Sequence, residues 1–202
     1  MTDIIFDLET LGLPPDGVIV AGAFLVFDMK EKYTFKQLVD KALYVKFNIK
    51  EQKKSGRVVN SDTIAWWKKQ SKEAQKELLP SNKDLSMIDA INKIKQYFND
   101  NGIHNSKKVF GFCRGQSFDF PLIVDLFEKN NLPHYWLVDF WRQRDVRTFI
   151  GATLGDHQID KITLTEEILD IDNFVAHNCT HDIARDVLMM QHALKIAYGE
   201  EE

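Results

Sequence analysis

The chain has 202 residues, 44% of them hydrophobic, enough to bury one sizeable core without dividing. Its formal net charge of −4 argues against a protein that coats nucleic acid indiscriminately, and two cysteines, Cys113 and Cys179, are too few for a disulfide framework or a thiolate metal site. No apolar run approaches the roughly 18–20 residues of a bilayer span, so a single soluble domain over residues 1–202, cytoplasmic and away from membranes, is expected.

The first element is Ile4-Ile5-Phe6-Asp7-Leu8-Glu9-Thr10, with Ile4, Phe6 and Leu8 on one alternating face and Ile5 on the other. Apolar on both sides, it reads as a central strand of an α/β sheet. Asp7 and Glu9 leave the Ile5 face together, their Cα atoms roughly 6.5–7 Å apart. Paired carboxylates on a buried face repel each other and resist desolvation, and a hard cation such as Mg²⁺ or Mn²⁺ relieves both problems. A strand end that has reached solvent or an arginine is the plainer explanation of the same residues.

Leu11 to Gly17 is dense in turn formers, and Val18 to Phe27 is a long β-prone run that pairs antiparallel with the first strand, Gly22 marking a bulge or a close approach. Leu43 to Ile49 suggests a third strand. Asn60-Ser61-Asp62 supplies N-cap chemistry for a helix through Trp66 and Trp67; a short helix over Ser71 to Leu79 ends at Pro80. Neighbouring tryptophans on a helix point about 100° apart, so at most one faces the core and the other is free to stack on a base. An amphipathic helix follows over Asp84 to Phe98, then a polar connection over Asn99 to Lys107. Val109 to Phe112 is a short buried strand, Pro121 to Lys129 a helix, and Val138 to Arg147 holds another short strand. Gly151 to Asn173 reads as loop and helix pieces. Strands first and helix–strand alternation afterwards give an α/β fold with a mixed sheet flanked by helices.

Three basic clusters interrupt the acidic average: Lys46, Lys50, Lys53, Lys54 and Arg57; Lys68, Lys69, Lys72 and Lys76; Arg142, Arg144 and Arg147. A charge run is ordinarily a solvated face, although three together also suit a phosphate track. Near the middle of the chain, Ser117 and Pro121 suit a helix start and place Asp119 in or at its first turn, where capping alone explains an acid.

The last helix is expected from Thr180 to about Tyr198, with Ile183, Val187, Met190, Leu194 and Ala197 on one stripe and Asp186 on its flank. A buried acid there needs a partner. His181, five residues before Asp186, leans over the same site if it lies at the helix entrance; His177 and Asp182 repeat the spacing. The pair His181/Asp186 is preferred here because Thr180 suits an N-cap and because the helix dipole already accounts for Asp182.

Asp7, Glu9, Asp119, His181 and Asp186, in that order, resemble the DEDDh branch of the proofreading (DnaQ-like) 3′-5′ exonuclease superfamily. Thr63 to Ser71, Cys113 to Pro121, Phe140 to Thr148 and Val175-Ala176-His177 are similar to the exodeoxyribonuclease A group of T-even phages, a resemblance that covers nearly the whole chain. Two positions depart from the pattern: many relatives carry Asn where this chain has Gly115, and the usual Ala two residues after the His is Ile183. The resemblance implies an RNase H-like fold, two divalent cations (Mg²⁺ or Mn²⁺) on Asp7, Glu9, Asp119 and Asp186, and His181 as general base. It also implies release of nucleoside 5′-monophosphates from the 3′ end of single-stranded nucleic acid, DNA favoured and RNA possible. Thr10 and Leu11 through their backbone, Phe118, and one of Trp66 and Trp67 would line the terminal nucleotide. For a phage-encoded chain the compartment is the host cytoplasm. A metal-free binding module is the competing class, but such a module would gain by losing its buried carboxylates.

Overall fold

A computed structural model describes residues 2–104, 108–132, 137–169 and 173–199. Parts of the connection expected over Asn99 to Lys107 and of the pieces expected over Gly151 to Asn173 therefore lie outside the described residues. Five strands form a mixed sheet in the order β3-β2-β1-β4-β5: β1 (Thr2–Thr10), β2 (Ile19–Asp28), β3 (Leu43–Lys46), β4 (Gly111–Cys113) and β5 (Gln143–Asp145). β2 returns antiparallel to β1, as the short connection predicts, and β3 is antiparallel to β2; β4 pairs parallel with β1 and β5 parallel with β4.

The register breaks between Glu9 and Thr10, whose partners are Ala21 and Ile19. Gly22 lies beside this bulge, opposite Leu8, and answers to a close approach: a Cβ there would meet Leu8 Cδ2 at 2.9 Å. A bulge bends and twists its strand, and this one falls where the two acids end β1.

The helices are α1 (Phe35–Lys41), α2 (Ile49–Lys54), α3 (Ser61–Trp67), α4 (Lys72–Gln75), α5 (Met87–Asp100), α6 (Gln116–Lys129), α7 (Val146–Leu154), α8 (Glu166–Leu169) and α9 (Cys179–Tyr198). Periodicity does not announce α1 and α2, yet each has local capping. Thr34 and Gln37 form a reciprocal capping box for α1, and Asn48 accepts from the Glu51 N–H at the start of α2. α6 starts at Gln116, upstream of the expected boundary, with Pro121 inside it. Gly115, at φ 101°, turns the chain from β4 into this helix, a conformation few other residues adopt.

Each sheet face carries its own core. Ile4, Phe6 and Leu8 meet Ile91 and Ile94 of α5 and Leu122, Ile123 and Leu126 of α6. On the other face Ile5, Ala23 and Leu25 meet Ile150 of α7 and Ile183, Val187 and Met190 of α9. Burying an aliphatic side chain of this size contributes about 1.5–3 kcal/mol, so α9 is anchored firmly beside the end of β1. Among the described residues no helix is long and apolar enough to cross a membrane.

Candidate active site

Asp7 and Glu9 leave β1 on the α9 side, in register with Ile5, as the alternation predicts. The acid that joins them is Asp182, in the first turn of α9: one carboxylate oxygen from each of Asp7, Glu9 and Asp182 lies within 4.8 Å of the others. Asp119, buried in the first turn of α6, accepts the Leu8 N–H through Oδ1 at 3.2 Å, and so sits against the strand between Asp7 and Glu9.

Burial is the largest influence on all four carboxyls and holds each above its ordinary value. Mutual repulsion adds to it: Glu9, Asp119 and Asp182 act on Asp7, and Asp182 and Glu77 act on Glu9. In the other direction, the Leu8 N–H and the Arg147 charge favour ionised Asp119, as Arg185 and His177 favour ionised Asp182. Arg147 and Arg185 offset only part of the charge on four converging acids that repel one another.

Asp186, the ligand expected from the sequence, is not in that cluster. Arg114 Nε donates to both its oxygens at 3.0 and 2.9 Å, and Arg185 donates to Oδ1 from Nε and Nη2 at 3.3 and 3.2 Å. Arg114 is held in turn by donating through Nη1 to the Asp160 carbonyl at 3.1 Å. The buried acid does have the partner that burial demands, and the partner is protein.

The preferred histidine also faces elsewhere. Asn178, not Thr180, caps α9: its Oδ1 accepts from the His181 N–H at 3.2 Å, so His181 lies inside the first turn. The His181 ring packs edge-on against Phe35 at 5.5 Å, and its Nδ1 accepts from the Val175 N–H at 3.0 Å, which fixes the segment entering the helix. His177 precedes the cap with φ 62°; its N–H donates to Asp182 Oδ2 at 3.0 Å, and its ring meets Trp66 edge-on at 4.8 Å. With His177 in the motif position, the residue two places on is the small, buried Cys179.

The tryptophan pair divides as helical geometry requires. Trp67 is 2% exposed and donates through Nε1 to the Thr10 carbonyl at 2.8 Å, while Trp66 is 42% exposed beside His177. Backbone groups expected to meet substrate are already engaged: the Thr10 carbonyl by Trp67, the Leu11 N–H by the Val18 carbonyl, and the Leu11 carbonyl by the Asn60 N–H. Phe118 is partly buried against the α5/α6 core. Glu77, which the sequence does not single out, accepts from Asn178 Nδ2 at 2.9 Å and from the Tyr44 hydroxyl, and thereby braces the cap of α9.

Two of the basic clusters shrink in three dimensions. Arg57 is 4% exposed and spans Gly17 and Asp125, with Nη1 2.6 Å from Asp125 Oδ2. Arg142 and Arg144 lie over the Phe110 ring, 5.0 and 4.4 Å from its centroid. Both account for cations in runs that would otherwise read as phosphate tracks.

The donor set fits a divalent cation. It is all carboxylate oxygen, it converges, and among the described residues the buried Asp182 Oδ1 accepts no hydrogen bond, lying 2.7 Å from Arg185 Nη1.

Comparison with known proteins agrees with this chemistry. Residues 2–192 match the Rv2179c-like 3′-5′ exoribonuclease domain. The whole chain is 40% identical, across 215 aligned positions, to the exodeoxyribonuclease of Enterobacteria phage T4, covering 93% of that protein. Among solved structures, cell-death related nuclease 4 (CRN-4) superposes with a TM-score of 0.62 at 10% identity, over 96% of this chain and 64% of that one. The zinc-bound complex of E. coli exonuclease I with single-stranded DNA gives 0.60 at 13% identity, over 98% of this chain and 41% of that one. The chain thus spans less than two thirds of either structural relative, and identities this low establish the RNase H-like exonuclease fold alone. The domain match and the full-length relative together show that this chain belongs to the Rv2179c-like 3′-5′ exoribonuclease domain family and is an exonuclease.

Proposed function

We propose that the chain is a DEDDh-type exonuclease that trims single-stranded DNA from its 3′ end and releases nucleoside 5′-monophosphates. The observation that carries this reading is the convergence of Asp7, Glu9 and Asp182 with Asp119 beside them. These four would hold two divalent cations, Mg²⁺ or Mn²⁺. Bound there, the cations would polarise a water and offset the charge that builds on a phosphodiester. His177 stands in the general-base role: its backbone is fixed by Asp182, and an imidazole suits proton transfer near neutral pH. The oxygen of water would bond to phosphorus as its proton passes to His177, the P–O3′ bond would break, and the departing 3′ oxygen would take a proton from solvent water.

Trp66, rather than Trp67, offers a face to the terminal base, and Phe118 lies at the start of α6 beside Asp119. Thr10 and Leu11 support the site by shaping the end of β1 and anchoring Trp67. DNA is preferred because the full-length relative is an exodeoxyribonuclease. A ribonucleotide substrate is the second reading, favoured by the description of the domain family. Incubating 3′- and 5′-labelled single-stranded DNA and RNA with Mg²⁺ or Mn²⁺ tests both. A descending ladder from the 5′ label with mononucleotide products on DNA supports the first reading, and trimming of RNA alone replaces it with the second. Internal cuts or no cleavage would overturn both.

A further inference from the structure

A groove of about 730 Å³ runs between α6 and the edge strand β5, lined by Ser117, Phe120 and Pro121 on one side and by Phe140, Gln143 and Arg147 on the other. It adjoins the candidate site, since Ser117 and Phe120 flank Phe118 and Asp119 on the same helix. Phe140 of this lining is 71% exposed, and the neighbouring Trp141, 55% exposed, meets its ring edge to face at 4.8 Å. Two solvent-facing rings side by side oppose the usual economy of a soluble surface.

Among the described residues the groove also holds a cation without a hydrogen-bond or ion-pair partner. Arg147 is exposed and makes no hydrogen bond or ion pair among the described residues, although its charge acts on Asp119 and Asp145. Arg142 and Arg144 are occupied on the Phe110 ring, and Arg144 Nη1 also donates to the Trp141 carbonyl at 2.9 Å, so they steady the rim. Asp145 is satisfied by the N–H groups of Gly115, Gln116 and Thr148 at 2.8, 3.2 and 2.9 Å. The Arg147 guanidinium lies over Gly115, with Nη1 3.4 Å from where a Cβ would stand.

We propose that this groove binds the stretch of single-stranded polynucleotide just 5′ of the terminal nucleotide, with Arg147 contacting its phosphate and Phe140 and Trp141 stacking on its bases. Guanidinium and phosphate form charge-assisted bonds, and aromatic faces accept any base, so the groove supplies length-dependent rather than sequence-dependent affinity. The assignment rests on the single-strand reading above but extends it to a second subsite.

The test is fluorescence anisotropy of 5′-fluorescein-labelled dT12, dT3 and rU12 in EDTA at low salt, with the wild type, Arg147→Gln, and the double variant Phe140→Ala/Trp141→Ala. The wild type should bind dT12 at least tenfold more tightly than dT3. Each variant should lose about tenfold on dT12, and Arg147→Gln should reduce the salt dependence of log K by about 0.7. Parallel losses on rU12 assign the groove to phosphate and base chemistry common to both sugars; losses on dT12 alone assign it to DNA. Affinity for dT12 within twofold of wild type in both variants overturns the proposal, and Arg147→Gln alone serves the same purpose if the aromatic variant folds poorly. Hydrolysis of dT12 with Mg²⁺ is followed separately. A wild type that binds through the groove but never cleaves overturns the function proposed above and leaves the groove standing.

Discussion

Asp182 and Asp186 lie one turn apart on α9, both buried and both beside Arg185, but their other neighbours differ. Asp186 is met by Arg114 and Arg185 through four hydrogen bonds and so carries its own countercharge. Asp182 has the His177 N–H and the edge of the single Arg185, 2.7 Å away, and its carboxylate converges with those of Asp7 and Glu9. Burial therefore identifies an acid that needs a partner, and the neighbours decide whether that partner is an arginine or an ion brought from solution. The histidines divide in the same way: the His181 ring packs on Phe35 and accepts from the Val175 N–H, and His177 stands beside Asp182 and Trp66.

The largest expected effect follows from this division. Asp182→Asn and Asp7→Asn should each lower kcat by a thousandfold or more, while metal-free Asp7→Asn melts at the wild-type temperature or above it because repulsion is relieved. Asp186→Asn should instead destabilise the fold, by about 3–5 kcal/mol for breaking a buried ion pair, with turnover retained in the folded fraction. Urea melts and single-turnover assays separate the two; a stable but inactive Asp186→Asn would exchange the roles assigned here.

His177→Ala should cost about 10²–10⁴ in kcat, the ordinary range for a general base. His181→Ala should act mainly on melting temperature. A tenfold or greater fall in kcat for a fully folded His181→Ala, with His177→Ala unaffected, would restore the other register.

Acidity gives a third separation. Asp7, Glu9 and Asp182 are raised above their ordinary values, and Asp119 is pushed up to about 8, burial being the first cause in each. A carboxyl raised on folding keeps its proton better in the folded state. Its stabilising effect is therefore full below ordinary carboxylate values, near 4, and is lost as pH rises through the raised value. In EDTA the melting temperature should fall between about pH 5 and 8, and Mn²⁺ should recover more of it at pH 8 than at pH 5. A melting temperature that climbs with pH in EDTA would contradict the shared cause.

The smallest effect belongs to the tryptophans. Trp66→Ala should raise KM for single strands by the equivalent of about 1–3 kcal/mol, with little change in melting temperature. Trp67→Ala should lose about 3–5 kcal/mol of stability. Steady-state kinetics alongside thermal melts distinguish the two, and equal unfolding by both would make the pair wholly structural.

Much of this architecture is legible in the chain. Period-two alternation announces β1 and the common face of Asp7 and Glu9, and turn chemistry announces the antiparallel return of β2. α1 and α2 escape such a reading because they are short and carry little periodicity; their signals are Thr34 with Gln37 and Asn48, visible only as caps. On α9 the structure brings Asp182 rather than Asp186 to Asp7 and Glu9, and the sequence favours the other pair for a physical reason: the helix dipole suffices to explain Asp182, and the flank of the apolar stripe makes Asp186 conspicuous. What the stripe cannot show is Arg114, 72 positions away in sequence, which satisfies Asp186. The small Cys179 two places after His177, against the large Ile183 two places after His181, is the available hint. Arg147 over Gly115 is likewise beyond sequence reasoning, because their meeting depends on the turn from β4 into α6.

The most direct measurement is calorimetric titration of Mn²⁺ into Asp182→Asn and Asp186→Asn under conditions where both are folded, beside the wild type. If Asp182 is the ligand and Asp186 the ion-paired acid, Asp182→Asn loses at least one binding event and most of its thermal stabilisation by the ion, while Asp186→Asn binds with the wild-type stoichiometry. Wild-type binding by Asp182→Asn together with its loss in Asp186→Asn would contradict that assignment.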